Sequence, residues 1–209
     1  SRLAKSLAED YTIDQSLRFD GTSYLTRTPG SAGNSKTWTV SFWTKLEISA
    51  EQKFFDIGTV SSSETSFGWG DGTLYFKVLA SGSENTTTSL YRDPSSWYHM
   101  VVAVDTTQVT DTDRVKIYVN GVQETSFKTE TYPAEDYEPS INNNVVQNIG
   151  IREGSGFFNG VMAHVHFIDG LAYAPTVFGE TDSTSGIWIA KSGPSVTYGT
   201  NGYFLKFQD

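Results

Sequence analysis

The stretch Phe67-Gly68-Trp69-Gly70-Asp71-Gly72-Thr73-Leu74-Tyr75-Phe76-Lys77-Val78 decides the fold class. Asp-Gly is a pair that tolerates positive φ at both central positions of a type I′ turn, and strand-forming residues flank it on both sides. With Asp71 and Gly72 as the turn, Trp69 is predicted to face Leu74 and Phe67 to face Phe76. These four share one side of a hairpin with Val78, while Tyr75 and Lys77 point to the other side.

The same logic runs outward along the chain. An Asn120-Gly121 turn pairs Val119 with Val122 and Tyr118 with Gln123, which puts Val115, Ile117 and Val119 inward and Lys116 and Tyr118 outward. Further Asx-Gly pairs stand at Asp20-Gly21, Asn159-Gly160, Asp169-Gly170 and Asn201-Gly202. From Lys36 to Leu46, Trp38, Val40, Phe42 and Leu46 fall on one phase, with Thr39, Ser41, Trp43 and Lys45 on the other. That alternation predicts one core face and one at least partly wet face. From Trp97 to Asp105, apolar residues occupy both phases, as expected of a central strand. The chain is all-β. Arg2 to Glu9, with Leu3 and Leu7 four apart, is the one helical candidate and forms an arm (1–15) ahead of a single domain (16–209). The arm is either solvated or packed on a neighbouring subunit. Gly179 to Gly193 is Ser/Thr/Gly-rich around Ile187, Trp188 and Ile189, and Tyr203 to Phe207 is the last strand candidate.

Composition narrows the function. A chain of 209 residues is long enough for one full core. It holds no cysteine, which excludes a disulfide framework, thiolate metal sites and a cysteine nucleophile; calcium stays open because it needs only oxygen ligands. With 24 acidic against 15 basic residues the net charge is -9, which disfavours nucleic acid. The longest apolar runs are strand-sized, so no membrane insertion is expected. Ser1 at the first position is expected of a processed chain or a piece of a longer one.

Five segments together carry a resemblance: Ser16-Leu-Arg-Phe-Asp-Gly-Thr-Ser-Tyr24, Trp38-Thr-Val-Ser-Phe-Trp-Thr-Lys45, Trp97-Tyr-His-Met-Val-Val-Ala-Val-Asp105, Val115-Lys-Ile-Tyr-Val-Asn-Gly121 and Phe158-Asn-Gly-Val-Met-Ala-His-Val-His-Phe167. In order and spacing they resemble the laminin G-like branch of the concanavalin A-like lectin/glucanase superfamily, over roughly Ser16 to Phe178. The resemblance implies a jelly-roll sandwich of two curved antiparallel sheets. The extension from about 178, Phe178-Gly-Glu-Thr-Asp182 through Tyr198-Gly-Thr-Asn-Gly202, resembles one that accompanies such domains in tailed-phage and other aquatic virus proteins. It implies a place on a virion surface, among other virion proteins and in a homo-oligomer or multi-copy array.

The chemistry is then weighed residue by residue. A retaining glycosidase on this fold needs two carboxylates about 5–5.5 Å apart on one strand, and no strand supplies them. Glu135, Asp136 and Glu138, like Glu180 and Asp182, sit in turn-like stretches, so no enzyme is expected. His164 and His166 fall two apart and His99 can join them, an arrangement that suits zinc or that ordinary strand polar residues also show. Asp20, Asp56 and Asp169 are calcium candidates that equally well serve turns; no ligand set is assigned. Asn85-Thr86-Thr87 matches a glycosylation acceptor, a pattern short enough to arise by chance. Trp43, Tyr75 and Tyr118, flanked by Lys45, Lys77 and His99, are expected to share a sheet face as a shallow glycan site. The alternative is that the C-terminal segment around Trp188 covers Trp43. The expected function is weak, multivalent glycan or host-surface adhesion by a virion surface protein; the alternative is a structural module without sugar binding.

Overall fold

The computed structural model describes residues 12–47, 51–58, 63–152 and 155–208. Its strands, in chain order, are β1 (Leu17–Asp20), β2 (Leu25–Arg27), β3 (Thr37–Leu46), β4 (Gln52–Ile57), β5 (Thr65–Gly70) and β6 (Thr73–Val78). They continue with β7 (Ser83–Thr87), β8 (Tyr98–Asp105), β9 (Val115–Val119), β10 (Val122–Gln123) and β11 (Phe127–Thr131). The last are β12 (Gln147–Ile149), β13 (Asn159–Asp169), β14 (Gly179–Thr181), β15 (Trp188–Ala190) and β16 (Tyr203–Leu205). The only helical elements among the described residues are single 3₁₀ turns such as Leu79–Ser81; the Arg2 to Glu9 arm lies outside the described residues.

Two antiparallel sheets form the sandwich. The first runs β1-β13-β3-β8-β9-β10 with β16 also on β13, and the second runs β11-β7-β6-β5-β4-β12-β2. Asp71 and Gly72 have φ of 52° and 89°, and Asn120 and Gly121 have 48° and 81°, so both hairpins turn as their sequences require. Phe67 pairs with Phe76, Trp69 with Leu74 and Val119 with Val122. The other Asx-Gly pairs make no two-residue hairpin. Asp20-Gly21 closes β1, whose partner is the distant β13, and Asn159-Gly160 opens β13 itself.

The core fills the space between the sheets. Trp38, Val40, Phe42 and Leu46 of β3 meet Phe54, Phe67 and Phe76 of the facing sheet, all nearly inaccessible to solvent. The Phe42 ring lies 5.1 Å from Phe54 and 6.0 Å from Phe67, tilted or edge-on, the arrangement aromatic quadrupoles favour. β8 lies between β3 and β9, the central position its two apolar phases predict.

One expectation holds only at the strand ends. On the second phase of β3, Thr37 and Lys45 are partly exposed, but Thr39 and Ser41 are fully buried and Trp43 is 9% exposed. The physical reason is a third layer laid over the outer face of the first sheet by residues 171–198. Thr39 Oγ1 donates to the Leu171 carbonyl and accepts from the Tyr173 amide, both at 2.8 Å. Phe178, Tyr173, Val177, Val196 and Tyr198 pack on Val101 and Ile168. The chain then rejoins the sandwich as β16, which pairs with Val165–Phe167, while β1 pairs with the Asn159–Met162 half of the same strand. Between these halves β13 bulges at His164, whose φ is 47°. The bulge turns both Ala163 and His164 outward and returns Val165 to the core.

Candidate functional site

On the outer face of the first sheet, three aromatic groups stack in order. The His99 ring lies 4.9 Å from Trp43 and 6.0 Å from Trp188, within 26° and 22° of parallel. Trp188 Nε1 donates to His99 Nδ1 at 2.9 Å, so Nε2 carries the imidazole proton and donates to Ser41 Oγ at 2.9 Å. Burial pushes the imidazole pKa down to about 3, and His99 stays neutral. Two glycines make room for the Trp188 ring: a Cβ at Gly121 would stand 2.4 Å from it and one at Gly179 2.7 Å. Gly121 is thus needed twice, for its φ of 81° in the turn and for this close approach.

Beside the stack a slot of about 310 Å³ stays open. Trp43, Trp97, Trp188 and Ala190 line it, with Thr12, Asp14, Gln15 and Ser16 supplying polar groups. Trp97 is 40% exposed and Lys45 Nζ lies 5.7 Å from its ring centroid. Aromatic walls with hydroxyl, amide and charged groups at the rim suit the C–H faces and hydroxyls of a sugar.

The predicted site residues divide between two sides of the molecule. Trp43 lines the slot, and Lys45 reaches only the Trp97 ring beside it. Tyr118 is on the same face but two strands away on β9, half-buried with Val101, Tyr173 and Phe178. Tyr75 and Lys77 are on β6 in the second sheet, so the expected common face of Trp43, Tyr75 and Tyr118 does not exist. Their strands belong to opposite sheets, and an outward residue of one sheet is a sandwich thickness from an outward residue of the other. Tyr75 is 5% exposed beneath a charged network. Its hydroxyl donates to Glu51 at 2.9 Å, and its ring lies 4.3 Å from Lys53 Nζ and 4.9 Å from Lys77 Nζ. Burial, then the Glu51 carboxylate, raise its pKa far above the usual phenol value. Sequence reasoning left Trp97 out of the site. Its signal was its phase, because it stands two residues before His99 on the same side of the strand.

The metal candidates have other employment. Both ring nitrogens of His99 are hydrogen-bonded, and His166 Nδ1 pairs with the Tyr198 hydroxyl at 2.9 Å. Asp20 accepts from Thr22 and Ser23 in its own turn. Asp169 accepts from the Asn34 amide, the Asn142 side chain and the Asn201 amide, a buried polar knot that joins four chain segments. Asp20 and Asp169 sit at opposite ends of the β13 edge, and Asp56 is buried in the other sheet. Among the described residues no group of three His, Cys, Asp or Glu is placed to hold a metal ion.

A jelly-roll sandwich with an aromatic slot on one sheet face has the build of a lectin-like domain. The chain belongs to the Laminin_G_3 family of the Concanavalin A-like lectin/glucanases superfamily, whose pattern matches residues 19–177. Among solved structures it is similar to domain 4 of AbnA, a GH43 extracellular arabinanase from Geobacillus stearothermophilus, in complex with arabinotriose. The identity is 18% over 80% of this chain and 76% of that one, with a TM-score of 0.58. It is also similar to a native heptameric SAP-like pentraxin from Limulus polyphemus, at 17% identity over 84% of this chain and 91% of that one, TM-score 0.55. The LG1-3 region of the laminin α2 chain matches at 14% identity over 75% of this chain and 31% of that longer one, TM-score 0.55. These likenesses show a common fold. No curated protein matches the chain.

Proposed function

We propose that this domain is a non-enzymatic adhesion module, displayed in many copies on the outside of a virus particle, that holds a sugar residue in the slot of Trp43, Trp97 and Trp188. The open aromatic slot is the observation that carries the reading. Asp14 is the sole carboxylate among its described lining residues, which leaves hydrolysis without its second acid group. A slot this shallow gives weak single-site affinity, and display in many copies multiplies it. The viral setting rests on the resemblance of the segment from Phe178 to Gly202. A glycan array with the intact chain, with and without calcium, tests the adhesion. Binding that disappears in Trp97→Ala with the fold retained supports it, and uniformly null arrays reject it.

A specific observation favours a second reading, a structural virion module without sugar binding. Trp188 lies over the His99 and Trp43 stack, so most of this sheet face is already covered by the chain's own C-terminal layer. Null arrays together with a shell that loses cohesion when this chain is removed are the outcome expected from that reading.

A further inference from the structure

A second opening lies on the far edge of the sandwich, where β2 and β12 of one sheet face β16 of the other. Its volume is about 530 Å³, within the range of small-molecule sites. Leu25, Ile149, Tyr203 and Leu205 give it apolar walls. Gln147 pairs with Arg27 and Ile57 across the sheet, and Ile149 with Leu25 and Phe55. Residues two apart share a face, so Gln147 and Arg27 point into the space between the sheets with the core residues Ile149, Ile57 and Phe55.

Both polar groups at this edge are short of acceptors. Gln147 is 7% exposed, and its Nε2 has no hydrogen-bond partner. A buried donor left unmade is costly and calls for an explanation. Arg27 gives one N–H to the Asn201 carbonyl at 2.6 Å and lies 5.2 Å from the Tyr203 ring centroid. It is the one charged side chain among the described lining residues, and none of the ion pairs among the described residues involves it. The Gln147 Nε2–H group and the remaining N–H groups of Arg27, the strongest unused functions here, are donors. A ligand that fits brings an acceptor, and the planar guanidinium fork matches a carboxylate.

We infer that this opening binds a small apolar carboxylate, with its apolar body between Leu25, Ile149, Tyr203 and Leu205 and its carboxylate on Arg27 and the Gln147 amide. A sugar suits it poorly, because its walls offer few hydroxyl partners. The site is separate from the tryptophan slot and does not depend on the adhesion reading.

Titration calorimetry of the intact chain with decanoate and with decanol, joined to NMR of the side-chain amides, tests it. Decanoate is expected to bind about tenfold tighter than decanol, the scale of a charge-assisted hydrogen bond. The Gln147 side-chain amide resonances are expected to shift on binding. Arg27→Gln is expected to erase the preference while decanol binding stays. Gln147→Leu, which also removes the unpartnered donor, is expected to weaken decanoate several-fold without lowering Tm. Trp97→Ala is expected to leave decanoate binding intact, which separates this site from the slot. No decanoate binding by the parent chain, equal affinity for decanol, or shifts at the tryptophan slot instead would each overturn the assignment.

Discussion

The two outer faces of the sandwich are closed in opposite ways. The first sheet is covered by an aromatic layer from the chain's own C-terminal segment, in which Trp188 and Phe178 pack on His99 of β8, and Phe204 of the edge strand β16 stacks on His166. The second carries an ionic network: Lys53, 2% exposed at its side chain, lies 3.3 Å from Glu51 and 3.5 Å from Glu64, and Arg152 lies 2.8 Å from Glu64. The family pattern ends at residue 177, where the aromatic layer is just beginning. The cover over the first sheet therefore comes mostly from residues beyond the matched pattern, and those residues also build one wall of the slot. The difference teaches that a face built on rings and neutral imidazoles responds to acid, whereas one built on paired charges responds to the loss of a partner.

The largest expected effect breaks the ionic face. Glu64→Ala leaves buried Lys53 with only the exposed Glu51 and is expected to cost about 3–5 kcal/mol in denaturant unfolding. Replacing both Lys53 and Glu64 with apolar residues of similar volume is expected to be near neutral, since neither charge is then left buried and unpaired.

Acid is expected to act on the other face. Burial holds His99 at about 3, and burial with the neighbouring His164 and His99 holds His166 at about 3, against an unfolded value near 6.5. For such depressed groups the unfolded chain binds the extra proton first. Stability is full above about pH 6.5 and is lost as pH falls from there toward 3, by about 2 kcal/mol per histidine at pH 5. All three histidines of the chain stand on β8 and β13 of the first sheet. Amide exchange at pH 5 is expected to open β13 and β15 before β5 and β6; the reverse order would contradict the comparison.

Smaller effects sharpen it. Trp188→Ala, at a half-buried ring, is expected to cost about 1–2 kcal/mol and to raise the His99 pKa toward 6.5 as water reaches it, which an NMR titration reads. Trp97→Ala is expected to change stability by less than about 0.5 kcal/mol and to remove sugar binding, because its exposed ring serves the slot and little else.

Much of the fold was legible because local rules agreed. The Asp71-Gly72 and Asn120-Gly121 turns fixed register, and the period of two in β3, β8 and β9 fixed which side faces the core. Less of the site could be read. Alternation tells in from out within one strand, but it does not say which sheet a strand joins. Tyr75 and Trp43 are both outward residues and still end up on opposite sides. The closed state of Trp43 was open for a similar reason: only the path of a Ser/Thr/Gly-rich tail, set by the Gly121 and Gly179 clearances, decides whether a ring lies over it. Gln147 reads as an ordinary polar residue in sequence, and its buried unpartnered amide comes from the long-range pairing of β12 with β2 and β4.

The placement of β1 and β16 on β13 has one more consequence. Leu205 pairs with Val165 and Leu17 with Met162, and both strands run in the same direction, so β16 stops about 10 Å short of where β1 begins. The two behave as a single interrupted strand. A short linker from residue 205 to residue 17 would make it continuous, and the chain could then be opened at a surface turn elsewhere to give a circular permutant. Entry and exit of the chain at neighbouring points also let such a domain sit as an insert in a loop of a larger protein without pulling that loop apart.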